Sequence, residues 1–160
     1  MTESAVFMAP LYTAPSVPPL IARLVNEFHG RWIDPLNLES WLAEGGDCLL
    51  LLCGDPVRHP ECLDVAVVLP ELCQEVARRH GRHVRIGVVP REHEETFAGR
   101  YALRRWPTLV WLRDGGYVTS IDGMHDWDEY LLLADKAVSA SNTLIPLVSA
   151  SSNEQPGGCQ

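Results

Sequence analysis

The feature that most limits the fold of this sequence is a run of six apolar residues, Cys-Leu-Leu-Leu-Leu-Cys, at positions 48–53. Turn-forming residues bound the run: Gly46 and Asp47 precede it, and Gly54 and Asp55 follow it. A short run that is apolar at every position, with turn residues on both sides, is typical of a strand buried on both faces. We therefore expect an α/β domain in which helices cover both faces of a sheet.

Hydrophobic spacing predicts the other elements. The helices are predicted to start near Pro18, Asn37, Glu61, Glu92 and Asp126, and the strands to cover residues 31–33, 48–53, 84–89, 108–112 and 117–121. Asn37 is expected to cap the second helix, and Asp126 with Glu129 to form a capping box at the last. Asp114 and Gly115 supply the positive dihedrals of a hairpin turn between the last two strands. The earlier alternation of strand and helix predicts parallel pairing.

The order of these elements resembles that of the thioredoxins. The sequence Trp106, Pro107, Thr108, followed by an apolar strand, resembles the cis-proline signature of that family. The resemblance implies a cis bond before Pro107 and a place for an extended partner chain beside it. The alternative is a trans proline that merely opens the strand. We predict an α/β, thioredoxin-like fold with a central mixed sheet of four to five strands and helices on both faces.

The predicted domain covers residues 18–138. Residues 1–17 are expected to form a flexible N-terminal segment. Residues 139–160, where the content of Ser, Asn, Pro and Gly rises, are expected to form a largely disordered tail. Within that tail, the apolar residues 144–148 are expected either to pack on the domain or to dock on a sheet edge or a partner.

The two-cysteine redox motif of the thioredoxins is missing. In that family a proline lies eight residues beyond the first active-site cysteine, and Pro70 lies at the same distance from Cys62. This register puts Val65 where the resolving cysteine belongs. Alignment from the end of the central strand selects residues 53–56 instead, which again contain a single cysteine. Because a dithiol cycle needs a second thiol, we expect a binding protein and no enzyme.

Cys62 leaves one alternative open, a monothiol thioredoxin-like oxidoreductase. A helix N-terminus lowers the pKa of a thiol. The negative charges of the neighbouring Glu61 and Asp64 raise it. Cys62 is therefore the candidate catalytic thiol of this alternative only.

A narrower resemblance covers residues 20–137. The Leu-rich strand continuing through residues 54–61, the stretch 105–110 and the stretch 122–127 are similar to the HyaE/HupG-type hydrogenase expression/formation proteins. This resemblance implies a dedicated chaperone for nickel-iron uptake hydrogenases. Such a chaperone binds the small-subunit precursor, with its twin-arginine signal peptide, together with other maturation proteins. The partner-binding residues that we predict are Asp55, Arg58, His59, Trp106 and Pro107.

The net charge and the sequence motifs argue against several other classes of ligand. The formal net charge of −8 argues against nucleic-acid binding, which needs a basic face, and suits a basic partner segment. No glycine-rich phosphate loop occurs, and His80 and His83 do not by themselves make a metal site. We therefore expect no cofactor and no metal ion.

Cysteine usage and hydropathy predict the location. The five cysteines are odd in number and irregularly spaced, which favours a reducing compartment over a disulfide framework. Residues 1–19 lack a basic start followed by a long apolar stretch, and the run 48–53 is too short to cross a bilayer. We expect a cytoplasmic protein without membrane insertion.

Overall fold

The computed structural model describes residues 17–143 and residue 145, so most of the predicted N-terminal segment and C-terminal tail lies outside it. In chain order the elements are α1 (Pro19–Asn26), β1 (Arg31–Trp32), α2 (Leu38–Ala43), β2 (Asp47–Leu52), α3 (Glu61–His80), β3 (Val84–Val88), α4 (Glu94–Tyr101), β4 (Thr108–Arg113), β5 (Gly116–Asp122) and α5 (Trp127–Ser139). A 3₁₀ turn, Arg91–His93, leads into α4. Among the helices of this described part, none is long and apolar enough to cross a membrane.

The strands form a single sheet in the order β1-β3-β2-β4-β5. β3 is parallel to both β1 and β2, whereas β4 is antiparallel to β2 and to β5. β2 lies at the centre, and all of its residues are buried. The prediction of a central mixed sheet built around the apolar run is therefore confirmed.

Side chains of β2 alternate between two apolar cores. Leu49 and Leu51 pack in the core that α1, α3 and α5 cover. Leu50 and Leu52 pack in the core under α2 and α4. Each face of the strand thus requires apolar residues, which explains why the run has no polar position. Helices cover both faces, as predicted.

The hairpin between β4 and β5 turns at Asp114 and Gly115, which have φ values of 49° and 81°. This confirms the turn predicted from the Asp-Gly pair. Asp114 also accepts the N–H of Gly46 through Oδ1 at 2.8 Å. The hairpin is thereby joined to the turn that precedes β2.

Asn37 and Asp126 take the N-cap positions of α2 and α5, as predicted, but the expected side-chain capping bonds are absent. The Asn37 side chain accepts the N–H of Asp34 and donates to the carbonyl of Trp32, at 2.8 and 2.9 Å, and makes no bond to the α2 N–H groups. Glu129 pairs with His125 at 3.1 Å and does not complete a capping box. In both cases a polar group in the preceding turn competes successfully for the side chain.

Beyond α5 the described chain continues beside β5. The Thr143 N–H donates to the carbonyl of Tyr117 at 2.7 Å, and the Thr143 hydroxyl donates to the carbonyl of Val118 at 2.9 Å. Ile145, from the predicted apolar patch, packs against the core under α2 and α4. The disordered tail predicted for residues 139–160 stays a prediction.

Candidate partner-binding site at the cis-proline

The predicted binding residues lie at one edge of the sheet. β2 ends at Leu52, β4 begins at Thr108, and these two residues pair directly. The loop that follows β2, residues 53–60, therefore lies beside the turn that carries Trp106 and Pro107. We call residues 54–60 the site loop.

The peptide bond between Trp106 and Pro107 is cis, as the resemblance implied. The Pro107 ring is buried, and its carbonyl accepts the N–H of Gly123 at 2.8 Å. Trp106 is half-buried, so part of the residue is accessible to solvent. Of the two residues, Trp106 offers the accessible surface.

Trp106 packs directly on the backbone of Gly54, the first residue of the site loop. Gly54 has a φ of 73°, in the left-handed region that favours glycine. A Cβ at this position would lie 2.7 Å from the Trp106 Cβ and 2.8 Å from its Cδ1. Backbone conformation and close approach both require glycine here. The site loop and the cis-proline turn are therefore packed together as one unit.

Glu94 joins α4 to the same loop. Its side chain is 6% exposed, and Oε1 accepts the N–H groups of Cys53 and Gly54, both at 3.0 Å. Burial raises the pKa of Glu94, whereas these N–H groups, the charge of Arg91 and the Trp106 side chain act in the opposite direction. A buried carboxylate thus holds the start of the site loop.

Glu94 was not among the residues predicted from the sequence, although a signal exists. Glu94, Phe97, Ala98 and Tyr101 follow the i, i+3, i+4, i+7 spacing of one helix face, and all four are buried. A carboxylate on an otherwise apolar face indicates a buried hydrogen-bond partner. The spacing therefore predicts that Glu94 is buried and hydrogen-bonded, but it does not identify the hydrogen-bond partner.

Asp55 organises the site loop from within. Its Oδ1 accepts the N–H of Val57 at 2.9 Å, and its carbonyl accepts the N–H of His59 at 2.7 Å. The carboxylate also pairs with Arg91 at 3.2 Å. Hydrogen bonds from Arg91 and from Val57 lower the pKa of Asp55. The Asp55 carboxylate therefore lies at the predicted binding surface, where it already binds groups of its own chain.

The middle of the site loop faces solvent. Val57 is 88% exposed, Arg58 is exposed and His59 is half-buried. Among the described residues, the Arg58 guanidinium has no ion-pair partner. Val57 is an apolar surface residue that the sequence did not single out.

Cys62, the second residue of α3, is completely buried, as is Val65 in the position of a resolving cysteine. Cys53, directly after β2, is buried in the same core as Cys62. The sequence offered these cysteines as alternative registers with one sulfur each. In the structure both residues lie in the core that α1, α3 and α5 cover, on either side of the site loop.

Carboxylates surround this edge of the sheet because α3, α4 and α5 all begin there. Acidic side chains in first turns interact favourably with the helix dipole. Among the described residues, several of these carboxylates have no ion-pair partner. We call this set the acidic rim; it consists of Glu61, Asp64, Glu92, Asp126 and Asp128. The rim is complementary to a basic segment.

The histidines weighed as metal ligands lie elsewhere. His80 is at the end of α3, where its Nε2 pairs with Asp135 at 2.7 Å. Within residues 17–143 and 145, no group of three or more His, Cys, Asp or Glu side chains is arranged to hold a metal ion.

Solved structures show the same fold. A thioredoxin variant from Halobacterium salinarum NRC-1 is similar to this chain with a TM-score of 0.51 and 21% sequence identity, covering 72% of this chain and 92% of its own. The predicted thioredoxin-like fold is thereby confirmed.

Comparison with relatives in sequence identifies the family. The chain is 47% identical over 165 residues to the hydrogenase expression/formation protein HoxO of Cupriavidus necator, covering 99% of this chain and 98% of that protein. It is 35% identical to the hydrogenase expression/formation protein HupG of Rhizobium leguminosarum bv. viciae, covering 72% of this chain and 78% of that protein. The family model of the hydrogenase-1 expression protein HyaE matches residues 20–130. The chain therefore belongs to the HyaE family of hydrogenase expression proteins.

Proposed function

We propose that this protein is a non-catalytic chaperone of nickel-iron hydrogenase maturation. It holds the small-subunit precursor, with its twin-arginine signal peptide, in the cytoplasm before export. Membership of a family of hydrogenase expression proteins supports a role in hydrogenase maturation, which implies protein partners. The observation that carries the binding role is the half-buried Trp106, which packs against the site loop at the edge of the sheet where the helices that carry the acidic rim begin.

The apolar part of the proposed surface consists of Trp106 and Val57. Tryptophan is enriched among the residues that dominate binding energy, because its large ring buries much area. Trp106 is also held in place, since Gly54 lies beneath it and Glu94 fixes the Gly54 backbone. A side chain held in this way loses little conformational entropy when a partner binds.

The charged part is the acidic rim. Guanidinium groups of a partner form strong, often bidentate hydrogen bonds with carboxylates. Exposed carboxylates also attract a basic segment over distance, and salt screens that attraction. We therefore expect binding that weakens as the salt concentration rises.

The monothiol oxidoreductase that acts through Cys62 is the alternative. Cys62 is completely buried, so a protein disulfide cannot reach its sulfur in this structure. This alternative requires measurable insulin reduction that disappears in Cys62→Ser. No observation at the site favours it over the holding role.

Titration with the small-subunit precursor tests the proposal. The same subunit without its signal peptide and a precursor whose twin arginines are replaced by glutamine serve as matched ligands. We expect the complete precursor to bind most tightly at low salt, and both altered ligands to bind more weakly. Equal binding of all three would reject recognition of the signal peptide. Absence of binding at low salt, with the protein folded, would reject the holding role itself.

A further inference from the structure

A cavity of about 260 Å³ lies between β5 and the segment that joins α4 to β4. We call it the arginine cavity; it is lined by residues 102–105, Thr108, Ser120 and Asp122. The cavity adjoins the cis-proline turn, because residues 105 and 108 flank that turn in the sequence. Neither residue of the cis bond is among the lining residues, so the proposed function leaves the cavity without a role.

The two arginines that line the cavity are unusual in this chain. Arg104 and Arg105 are both exposed, and within the described part of the chain neither guanidinium is held by a hydrogen bond. The Arg105 Nε lies 3.8 Å from Oδ2 of Asp122, which is beyond hydrogen-bond length. Nine other arginines each pair with a carboxylate at 3.4 Å or less. Since Asp and Glu outnumber Lys and Arg by 21 to 13, two adjacent arginines left unpaired beside a cavity indicate a place for an external anion.

Hydrogen bonds hold the walls of the cavity in place. The Thr108 hydroxyl donates to the carbonyl of Arg105, which ties the arginine segment to the start of β4. Ala102 ends α4 in the left-handed conformation, with a φ of 55°, and so turns the chain toward β5. The Tyr117 hydroxyl donates to Oγ of Ser120 at 3.1 Å, so the Ser120 hydroxyl keeps its own proton available for a ligand.

We infer that the arginine cavity binds an oxyanion, which is a phosphate or a carboxylate group. The guanidinium fork of arginine matches the oxygens of these groups and binds them through two parallel hydrogen bonds. Two guanidiniums oppose a single carboxylate, Asp122, so the charges that line the cavity sum to +1 in a chain of net charge −8. The volume is below the range typical of sites for drug-sized ligands, so the cavity suits a small anion or one side chain of a partner.

Two sources can supply such a group. One source is a free small anion. The other is an acidic side chain of the bound precursor, which would lie beside the cis-proline turn. Only this second source rests on the proposed function, because binding of a free anion needs no partner.

Titration of the full-length, ¹⁵N-labelled chain with inorganic phosphate tests the inference. Backbone amide shifts are followed by nuclear magnetic resonance at constant pH, and sodium chloride keeps the ionic strength constant so that screening does not change. We expect saturable shifts concentrated at residues 103–105, Thr108 and Ser120. Absence of saturable shifts at these positions, or shifts of equal size at arginines throughout the chain, would overturn the inference.

Single substitutions test the charges. Arg104→Gln and Arg105→Gln each remove one guanidinium from an exposed position, and we expect each to weaken phosphate binding at least about tenfold, because a hydrogen bond to a charged group is lost. Arg23→Gln removes the same charge from the exposed surface of α1 and should leave the affinity within about twofold. Asp122→Asn removes the opposing charge and should tighten binding. Unchanged binding in either cavity arginine variant, or weaker binding in Asp122→Asn, would overturn the inference.

Precursor binding identifies the source of the oxyanion. The affinity is measured in phosphate and in chloride of equal ionic strength, for the unmodified chain and for Arg104→Gln. Weaker binding in phosphate, with no such difference in Arg104→Gln, assigns the cavity to a carboxylate of the precursor. Equal affinity in the two salts assigns the cavity to a free small anion. A chain that shows saturable phosphate shifts but binds no precursor in either salt rejects the proposed function and leaves the oxyanion site intact.

Discussion

The Glu94 carboxylate accepts the backbone N–H of Gly54 through both of its oxygens, at 3.0 and 3.1 Å. Through this bond the start of α4 fixes the start of the site loop, on which Trp106 packs. The position of the half-buried Trp106 side chain thus depends on a carboxylate that no partner needs to touch. Stability and its dependence on pH should therefore both respond to changes at Glu94.

Replacing Glu94 by alanine leaves the N–H groups of Cys53 and Gly54 without their acceptor. A buried donor that loses its partner costs about 1–3 kcal/mol, and relief of the buried charge offsets part of the loss, so we expect Glu94→Ala to lower the free energy of unfolding by about 2 kcal/mol. The measurement is urea unfolding followed by circular dichroism. Glu95→Ala, at the exposed neighbouring position of α4, is the matched control and should change stability by less than about 0.5 kcal/mol. Equal losses in the two variants would contradict the role of Glu94.

The pH dependence of stability should carry a signature of Glu94. Because burial raises the pKa of Glu94 in the folded state, its neutral form favours folding. That contribution is present below the ordinary pKa of glutamate and is lost as the pH rises through the raised folded pKa. Glu94→Gln cannot titrate, so its stability deficit relative to the unmodified chain should be larger at acidic pH and shrink toward neutral pH.

Unfolding free energies of both proteins over a pH series measure this difference. Carboxylates whose pKa is lowered in the folded state, such as Asp55 and Asp135, contribute stability that increases as the pH rises. Both proteins contain these carboxylates, so their contributions cancel in the difference between the two unfolding free energies. A deficit that grows as the pH rises would mean that the pKa of Glu94 is lowered in the folded state, the reverse of the expected shift.

Gly54 and Gly99 give a matched pair of alanine substitutions. Gly54→Ala forces a left-handed backbone on alanine, which costs about 1–2 kcal/mol, and its Cβ collides with Trp106. We expect a loss of at least about 2 kcal/mol. Gly99 is exposed in α4 and has ordinary helical geometry, and apart from its chain neighbours and its own helix backbone no heavy atom lies within 4 Å of its Cβ position. Gly99→Ala should therefore stabilise the protein by about 0.5–1 kcal/mol. Thermal unfolding checks both, and similar effects from both would contradict the close contact with Trp106.

Arg113 balances a buried charge at the opposite edge of the sheet. Its Nε lies 2.7 Å from Oδ1 of Asp47, which is 3% exposed, and it also donates to the carbonyl of Ala137 at 2.8 Å. Arg113→Met leaves that carboxylate poorly compensated, and we expect a loss of about 3 kcal/mol. Arg82 meets Asp47 at 3.4 Å and is more exposed, so Arg82→Met should cost less than about 1 kcal/mol. Equal costs in chemical unfolding would mean that Arg113 is not the main partner.

Structural features that a short stretch of sequence determines could be predicted from the sequence. The apolar run at residues 48–53 determines the central strand because both of its faces must be covered. Asp114 and Gly115 specify their turn through backbone conformation alone. Trp106 and Pro107 identified the cis-proline turn through the resemblance to thioredoxins.

Structural features that depend on contacts between residues far apart in the chain could not be predicted from the sequence. Glu94 reaches Cys53 across 41 positions of the chain, and nothing in local spacing identifies such a partner. The capping bond expected of the Asn37 side chain is absent because groups in the preceding turn bind that side chain instead.

The affinity of the small-subunit precursor for Trp106→Ala tests the central claim, that this edge of the sheet holds the precursor. The unmodified protein and Leu132→Ala, a truncation of an exposed leucine on α5, are measured alongside, with circular dichroism confirming that each is folded. Loss of a dominant aromatic contact costs about 2 kcal/mol or more, so we expect at least about tenfold weaker binding in Trp106→Ala and unchanged binding in Leu132→Ala. Unchanged affinity in Trp106→Ala would place the precursor elsewhere and contradict the claim.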